Sequence, residues 1–139
     1  MDLVGDILNP VISRILDRRD SLKDIKRFER TDIEGWLKVE VVAALRNKVA
    51  ELKNRGPGLL LEDNTEIALK AGTDFNPAYF IESSLKYNCP CIFLGDADKH
   101  KRIAELTSNS GIKIVGYKMF NDGVSDWIIG MIRPIRGNR

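Results

Sequence analysis

GLLLEDNTEIALKA, residues 58–71, reads as two short strands joined by a tight turn. The first strand carries Glu62 and Asp63 at its end, the turn falls at Asn64-Thr65, and the second strand carries Glu66 and Lys70. With Asn64-Thr65 as a two-residue loop, Asp63 faces Glu66, Leu61 faces Ala68 and Leu59 faces Lys70. A period of two puts Glu66, Ala68 and Lys70 on one face of the second strand, and Ile67, Leu69 and Ala71 on the other.

Upstream, the spacing predicts a long helix. Thr31 or Asp32 caps it, and Glu34 lies in its first turn. Trp36, Leu37, Val41, Ala44, Leu45 and Val49 carry the helix on to Leu52, and Gly56-Pro57-Gly58 stops it. Glu34 heads the stripe of Leu37, Val41, Leu45, Val49 and Leu52, by steps of three or four. It is either a wet first-turn carboxylate favoured by the helix dipole or a group aimed at a polar site at the end of the core. Glu40, at the margin of the stripe, reads as solvated.

Further upstream, Leu3, Val4, Ile7, Leu8, Val11, Ile12, Ile15 and Leu16 make one broad apolar helical face. Such a helix packs either on the domain itself or on a second copy of the chain, so a homodimer is one expectation. Residues 17–31 read as a second short helix or a linker.

Downstream, Asn76-Pro77 opens a helix through Tyr79, Phe80, Ser83, Leu85 and Tyr87. The continuous apolar run Cys89 to Leu94 marks a strand covered on both faces. A helix is predicted from Lys99 to Thr107. Strands follow at Ile112 to Tyr117 and Trp127 to Ile132, separated by a turn at Asn121-Asp122-Gly123. The expected fold is therefore α/β, a mixed β-sheet flanked by helices with at least one parallel crossover. The expected organisation is an N-terminal helical extension (1–30), one α/β domain (31–134) and a basic tail (135–139).

Composition sets outer limits. A chain of 139 residues, 43% hydrophobic and 30% charged, suits one globular domain. The net charge of +2 excludes a histone-like global field. Basic clusters at 18–19, 23–30, 99–102 and 133–139 read either as solvated surface or as phosphate-contacting groups. No signal sequence and no run long enough to span a bilayer is visible, so a cytoplasmic location without membrane contact is expected. The two cysteines, Cys89 and Cys91, flank Pro90 and read as small apolar residues at a strand start. His100 is the sole histidine, which leaves little material for general acid–base chemistry.

The helix TDIEGWLKVEVVAALRNKV, the hairpin GLLLEDNTEIALKAG, the helix after it and the strand CPCIFL together resemble the restriction-endonuclease-like, PD-(D/E)xK nuclease superfamily, over roughly residues 31–117. The resemblance implies a restriction-endonuclease-like core, here with an extra N-terminal helix. Members carry a glutamate on the first core helix, matching Glu34 or, as the second choice, Glu40. The hairpin's first strand supplies an aspartate, and its second supplies an acidic-x-Lys triplet whose lysine matches Lys70. Two carboxylates hold a divalent ion, usually Mg2+, beside a phosphodiester of DNA or RNA, and the ion lowers the pKa of a bound water and stabilises charge on phosphate oxygens.

This sequence departs from that pattern at two positions. Ala68 stands two residues before Lys70, and the aspartate position falls near Gly58 or Leu59. Glu66 shares the face of Lys70 but lies roughly 13 Å away along the strand. Three readings follow. The first is a nuclease-like domain that binds nucleic acid, through groups such as Lys99, Lys101 and Arg102, with impaired or absent cleavage. The second is an active nuclease with a rearranged site, using Glu34, Glu66 and Lys70 for catalysis and Asp63 with Glu66 for metal. The third is a non-catalytic dimeric interaction module.

Overall fold

The computed structural model describes residues 2–25, 30–53, 56–72, 77–96, 106, 108 and 111–135. A wide helical turn at Leu3–Leu8, in which the Asn9 N–H reaches back to the Val4 carbonyl, runs directly into helix α1 (Asn9–Asp17). Helices α2 (Asp20–Ile25) and α3 (Arg30–Ala44) follow, then strands β1 (Val49–Leu52), β2 (Gly58–Leu61) and β3 (Glu66–Ala71). Helix α4 (Pro77–Tyr87) leads to β4 (Cys91–Asp96), and the chain closes with β5 (Ile112–Asn121) and β6 (Asp126–Pro134). The six strands form one mixed sheet in the order β1-β2-β3-β4-β6-β5. β1, β2 and β3 are an antiparallel meander, α4 carries the chain across to β4 parallel to β3, and β6 pairs antiparallel with both β4 and β5. No described helix is long and apolar enough to cross a membrane.

The two faces of the sheet have separate cores. On one, Leu59, Leu61, Ile67, Leu69, Ala71, Ile92, Leu94, Trp127, Ile129 and Met131 pack with Ile7, Leu8, Val11, Ile15 and Leu22 of the N-terminal segment and with Ile33, Leu37, Val41 and Leu45 around α3. On the other, Ala68, Cys91, Phe93, Ile128 and Ile132 meet Phe80 of α4 and Leu106. β4 is buried on both faces because it has helical cover on each, as its unbroken apolar run predicts. The apolar face of residues 2–18 therefore packs on the domain's own sheet.

Three expectations are corrected. First, the helix before the hairpin ends at Ala44, and Val49–Leu52 is an edge strand. Val49 and Leu52 continue the helical spacing and neither Gly nor Pro interrupts it, so only the pairing of Val49 with Leu61 and Leu52 with Leu59 reveals the strand. Second, the hairpin loop has three residues. The Asn64 N–H donates to the Leu61 carbonyl and the Leu61 N–H to that of Thr65, both at 2.9 Å, while Asn64 sits at φ 71. This is a turn closed by a left-handed residue, which asparagine tolerates. The register moves by an odd number, so Gly58 opposes Ala68, Leu59 opposes Ile67 and Leu60 opposes Glu66.

Third, Glu40 is buried, with 3% of its surface exposed. Its Oε1 accepts from Arg14 Nε at 2.6 Å, and Oε2 lies 3.8 Å from Arg18 Nε. The pair ties α1 to α3. An acid at the edge of a stripe reads as wet until its partners, 26 and 22 residues earlier in the chain, fold over it.

Candidate functional site

The C-terminal end of β3 gathers the polar groups of three elements. β2 begins at Gly58, opposite Ala68, so the last residues of β3 run past it on that side. The Ala71 N–H is bound there by Glu34 Oε1 of α3, at 3.1 Å. The same oxygen accepts from the Tyr79 hydroxyl of α4 at 3.4 Å. Lys70 Nζ lies over the Tyr79 ring, 5.0 Å from its centroid. α4 begins at Pro77, which places Tyr79 in its first turn, within reach of the end of β3.

The ammonium of Lys70 is more firmly held than that of an ordinary lysine. Partial burial, the largest influence, disfavours its charge. The Glu34 carboxylate and the Tyr79 side chain together outweigh that effect, and the pKa moves up. Lys70 is thus a half-buried ammonium, charged at neutral pH, at the C-terminal end of a parallel strand pair, where open α/β sheets place their ligand sites.

The remaining sequence-predicted groups lie elsewhere. Glu66 and Asp63 are exposed at the opposite end of β3, Asp63 in the loop itself. Asp63 Oδ1 accepts from the Thr65 N–H at 3.0 Å, and hydrogen bonds from Thr65 hold its carboxyl below the usual aspartate range. The structure therefore brings together Glu34 and Lys70, adds Tyr79, and leaves Asp63 and Glu66 at the hairpin tip. Lys99, Lys101 and Arg102 lie outside the described residues. Tyr79 escapes a reading of sequence motifs, since only the turn at Pro77 hints at its position.

Gly58 and Ala68 are Cα partners on the same face as Lys70. This is where the acidic pair of a metal-dependent nuclease would stand on the resemblance drawn from the sequence. Gly58 has φ +106, a conformation that strains any residue with a Cβ, although the space beside it is open. The Glu34 carboxylate is engaged by Ala71 and Tyr79. Among the described residues no three acidic, histidine or cysteine side chains converge as metal ligands. Among the described residues, this strand end does not assemble the several oxygen ligands that a divalent ion takes.

A groove of about 200 Å³ opens beside Gly58, lined by Lys53, Gly56, Pro57, Leu60 and Glu66. Cys89 and Cys91 take no part in any of this. Both are buried, and burial pushes the Cys89 thiol up to about 11 and that of Cys91 higher still, so both pack as neutral thiols. No family model matches the chain, and neither a curated protein nor a solved structure is significantly similar to it.

Proposed function

We propose that this chain is a restriction-endonuclease-like domain that binds DNA or RNA without metal-dependent cleavage. The observation that carries the reading is the direct opposition of Gly58 and Ala68 across β2 and β3, two residues before Lys70. A site of this class needs carboxylates where this chain has a glycine and a methyl group, while the lysine and the helix glutamate remain. The order of helix, antiparallel meander, crossover helix and parallel strand supports the same assignment.

The positive φ at Gly58 supports loss of cleavage as a settled state, since an aspartate there would be strained as well as newly charged. The basic runs at 99–102 and 133–139 supply the electrostatic attraction that nucleic acid requires. The interaction-module reading loses its main surface, because the N-terminal apolar stripe is covered by the domain's own sheet.

Gel-shift and cleavage assays on duplex and single-stranded DNA and RNA, with Mg2+ or Mn2+, test the proposal. Retention that weakens steeply with salt, with no strand cleavage, is expected. Cleavage abolished by Lys70→Ala would instead establish an active nuclease with a rearranged site.

A further inference from the structure

Lys113 of β5 and Arg133 of β6 are Cα partners across the antiparallel ladder. Like charges placed directly opposite repel, which costs stability unless a counter-ion lies between them. Among the described residues no carboxylate forms an ion pair with either one. The two cations line a groove of about 370 Å³, together with Asp2, Leu3, Val4, Ile114 and Val115. The acid in that wall, Asp2, accepts the Val4 N–H on Oδ1 at 3.1 Å and forms no ion pair with either cation.

An exposed lysine on an edge strand is ordinarily explained as a guard against sheet-to-sheet pairing. That account covers Lys113, and it also covers Lys118, another exposed lysine on β5. It does not cover Arg133, which is half-buried on β6, between β4 and β5. Its Nη1 donates to the Pro134 carbonyl at 3.4 Å, leaving further donors of the guanidinium fork to face the groove. The β5–β6 register slips between Ile114 and Gly116, so a bulge at Val115 forms part of the wall, a feature that re-aims neighbouring side chains. The chain continues past Ile135, whose N–H binds the Gly111 carbonyl at 3.1 Å, into a tail that carries Arg136 and Arg139 in sequence.

We propose that the Lys113–Arg133 groove is a phosphate-binding cleft that takes a phosphodiester of the nucleic-acid backbone. The inference rests on the nucleic-acid-binding reading for the source of the phosphate, and on its own geometry for the site. The guanidinium supplies a planar fork for two phosphate oxygens and the ammonium a point charge beside it. The cleft lies at the β5–β6 end of the sheet, away from Glu34 and Lys70.

The test measures oligonucleotide affinity against salt for wild type, Lys113→Gln, Arg133→Gln, the double variant and Lys118→Gln as an edge-lysine control. Inorganic phosphate is titrated in parallel, following the Lys113 and Arg133 resonances by NMR. Each single variant of the cleft is expected to weaken oligonucleotide binding about 3- to 10-fold, and the double variant to reduce the salt slope by roughly two, while Lys118→Gln changes little. Lys113→Glu separates binding from folding. It replaces repulsion with attraction, so its melting temperature is expected to rise while binding falls further.

Wild-type binding with equal losses in Lys118→Gln and the cleft variants, or with none in either, overturns the cleft and leaves the broader reading standing. Phosphate shifts at Lys113 and Arg133 without oligonucleotide binding support the cleft and overturn the nucleic-acid source. Absence of both overturns both.

Discussion

The two ends of β3 carry similar charges to different ends. At the hairpin tip, Asp63 and Glu66 are exposed, and Asp63 is satisfied by Thr65, two residues away. At the other end, Glu34, Lys70 and Tyr79 arrive from α3, β3 and α4, and one carboxylate oxygen serves both a strand N–H and a hydroxyl. At the tip, Asp63 is local turn chemistry, whereas Glu34 at the strand end joins three elements. A carboxylate count along the sequence does not distinguish the two, and the number of elements that each group connects does.

This contrast can be broken by substitution, and the largest effect is expected from Glu34→Ala. It leaves the Ala71 N–H without its acceptor and removes a partner of Tyr79, for a loss of about 1–2 kcal/mol in urea unfolding. Glu34→Gln, which keeps an acceptor oxygen, should recover part of that loss. A cost equal to that of an exposed-site alanine would make the strand-end cluster no more structural than the tip. Next is Asn64→Val at the tip, where a β-branched side chain must adopt φ 71. About 1 kcal/mol is expected, with Asn64→Gly close to wild type. The effect there should come from the backbone of the turn and not from its charges.

Lys70→Met should cost roughly 0.5 kcal/mol, as loss of the contact with Tyr79 is offset by relief of a partly buried charge. The pH dependence sharpens the comparison further. The pKa of Lys70 is raised in the folded chain, so its stabilisation is complete below the ordinary value of 10.5 and disappears as pH climbs through the raised one. Asp63 has the opposite sense: its carboxyl lies below 3.8, so its contribution is present above that value and disappears as pH falls through the lowered one. Unfolding at alkaline pH should therefore differ between wild type and Lys70→Met, and unfolding at acid pH between wild type and Asp63→Ala, the smallest effect of the set.

The sequence reveals those elements whose signals are local. Pro77 marks the start of α4, the apolar run through Cys91 marks β4 as doubly covered, and Asn121-Asp122-Gly123 marks the last hairpin. There the buried Asp122 binds the Trp127 indole N–H at 2.8 Å. What stays hidden is set by distant partners. β1 reads as helix because Val49 and Leu52 fit both a helical stripe and an edge strand. The hairpin register turns on whether Asn64 is left-handed.

Glu40 becomes a buried ion only once Arg14 and Arg18 cover it. Of the candidate site, the helix stripe leaves Glu34 open between a wet first-turn group and one aimed at the end of the core, and Lys70 stands out only through the family resemblance. Tyr79 is not legible, and neither is the facing of Lys113 and Arg133, which depends on a bulge that no residue type announces.

The central claim is a nuclease-like fold that holds nucleic acid and does not cut it. Its most direct test is a paired binding and cleavage measurement on labelled DNA and RNA in millimolar Mg2+ or Mn2+, with wild type beside Lys70→Ala. The account predicts salt-sensitive binding by both proteins and intact strands throughout. Strand cleavage by wild type that disappears in Lys70→Ala would contradict it.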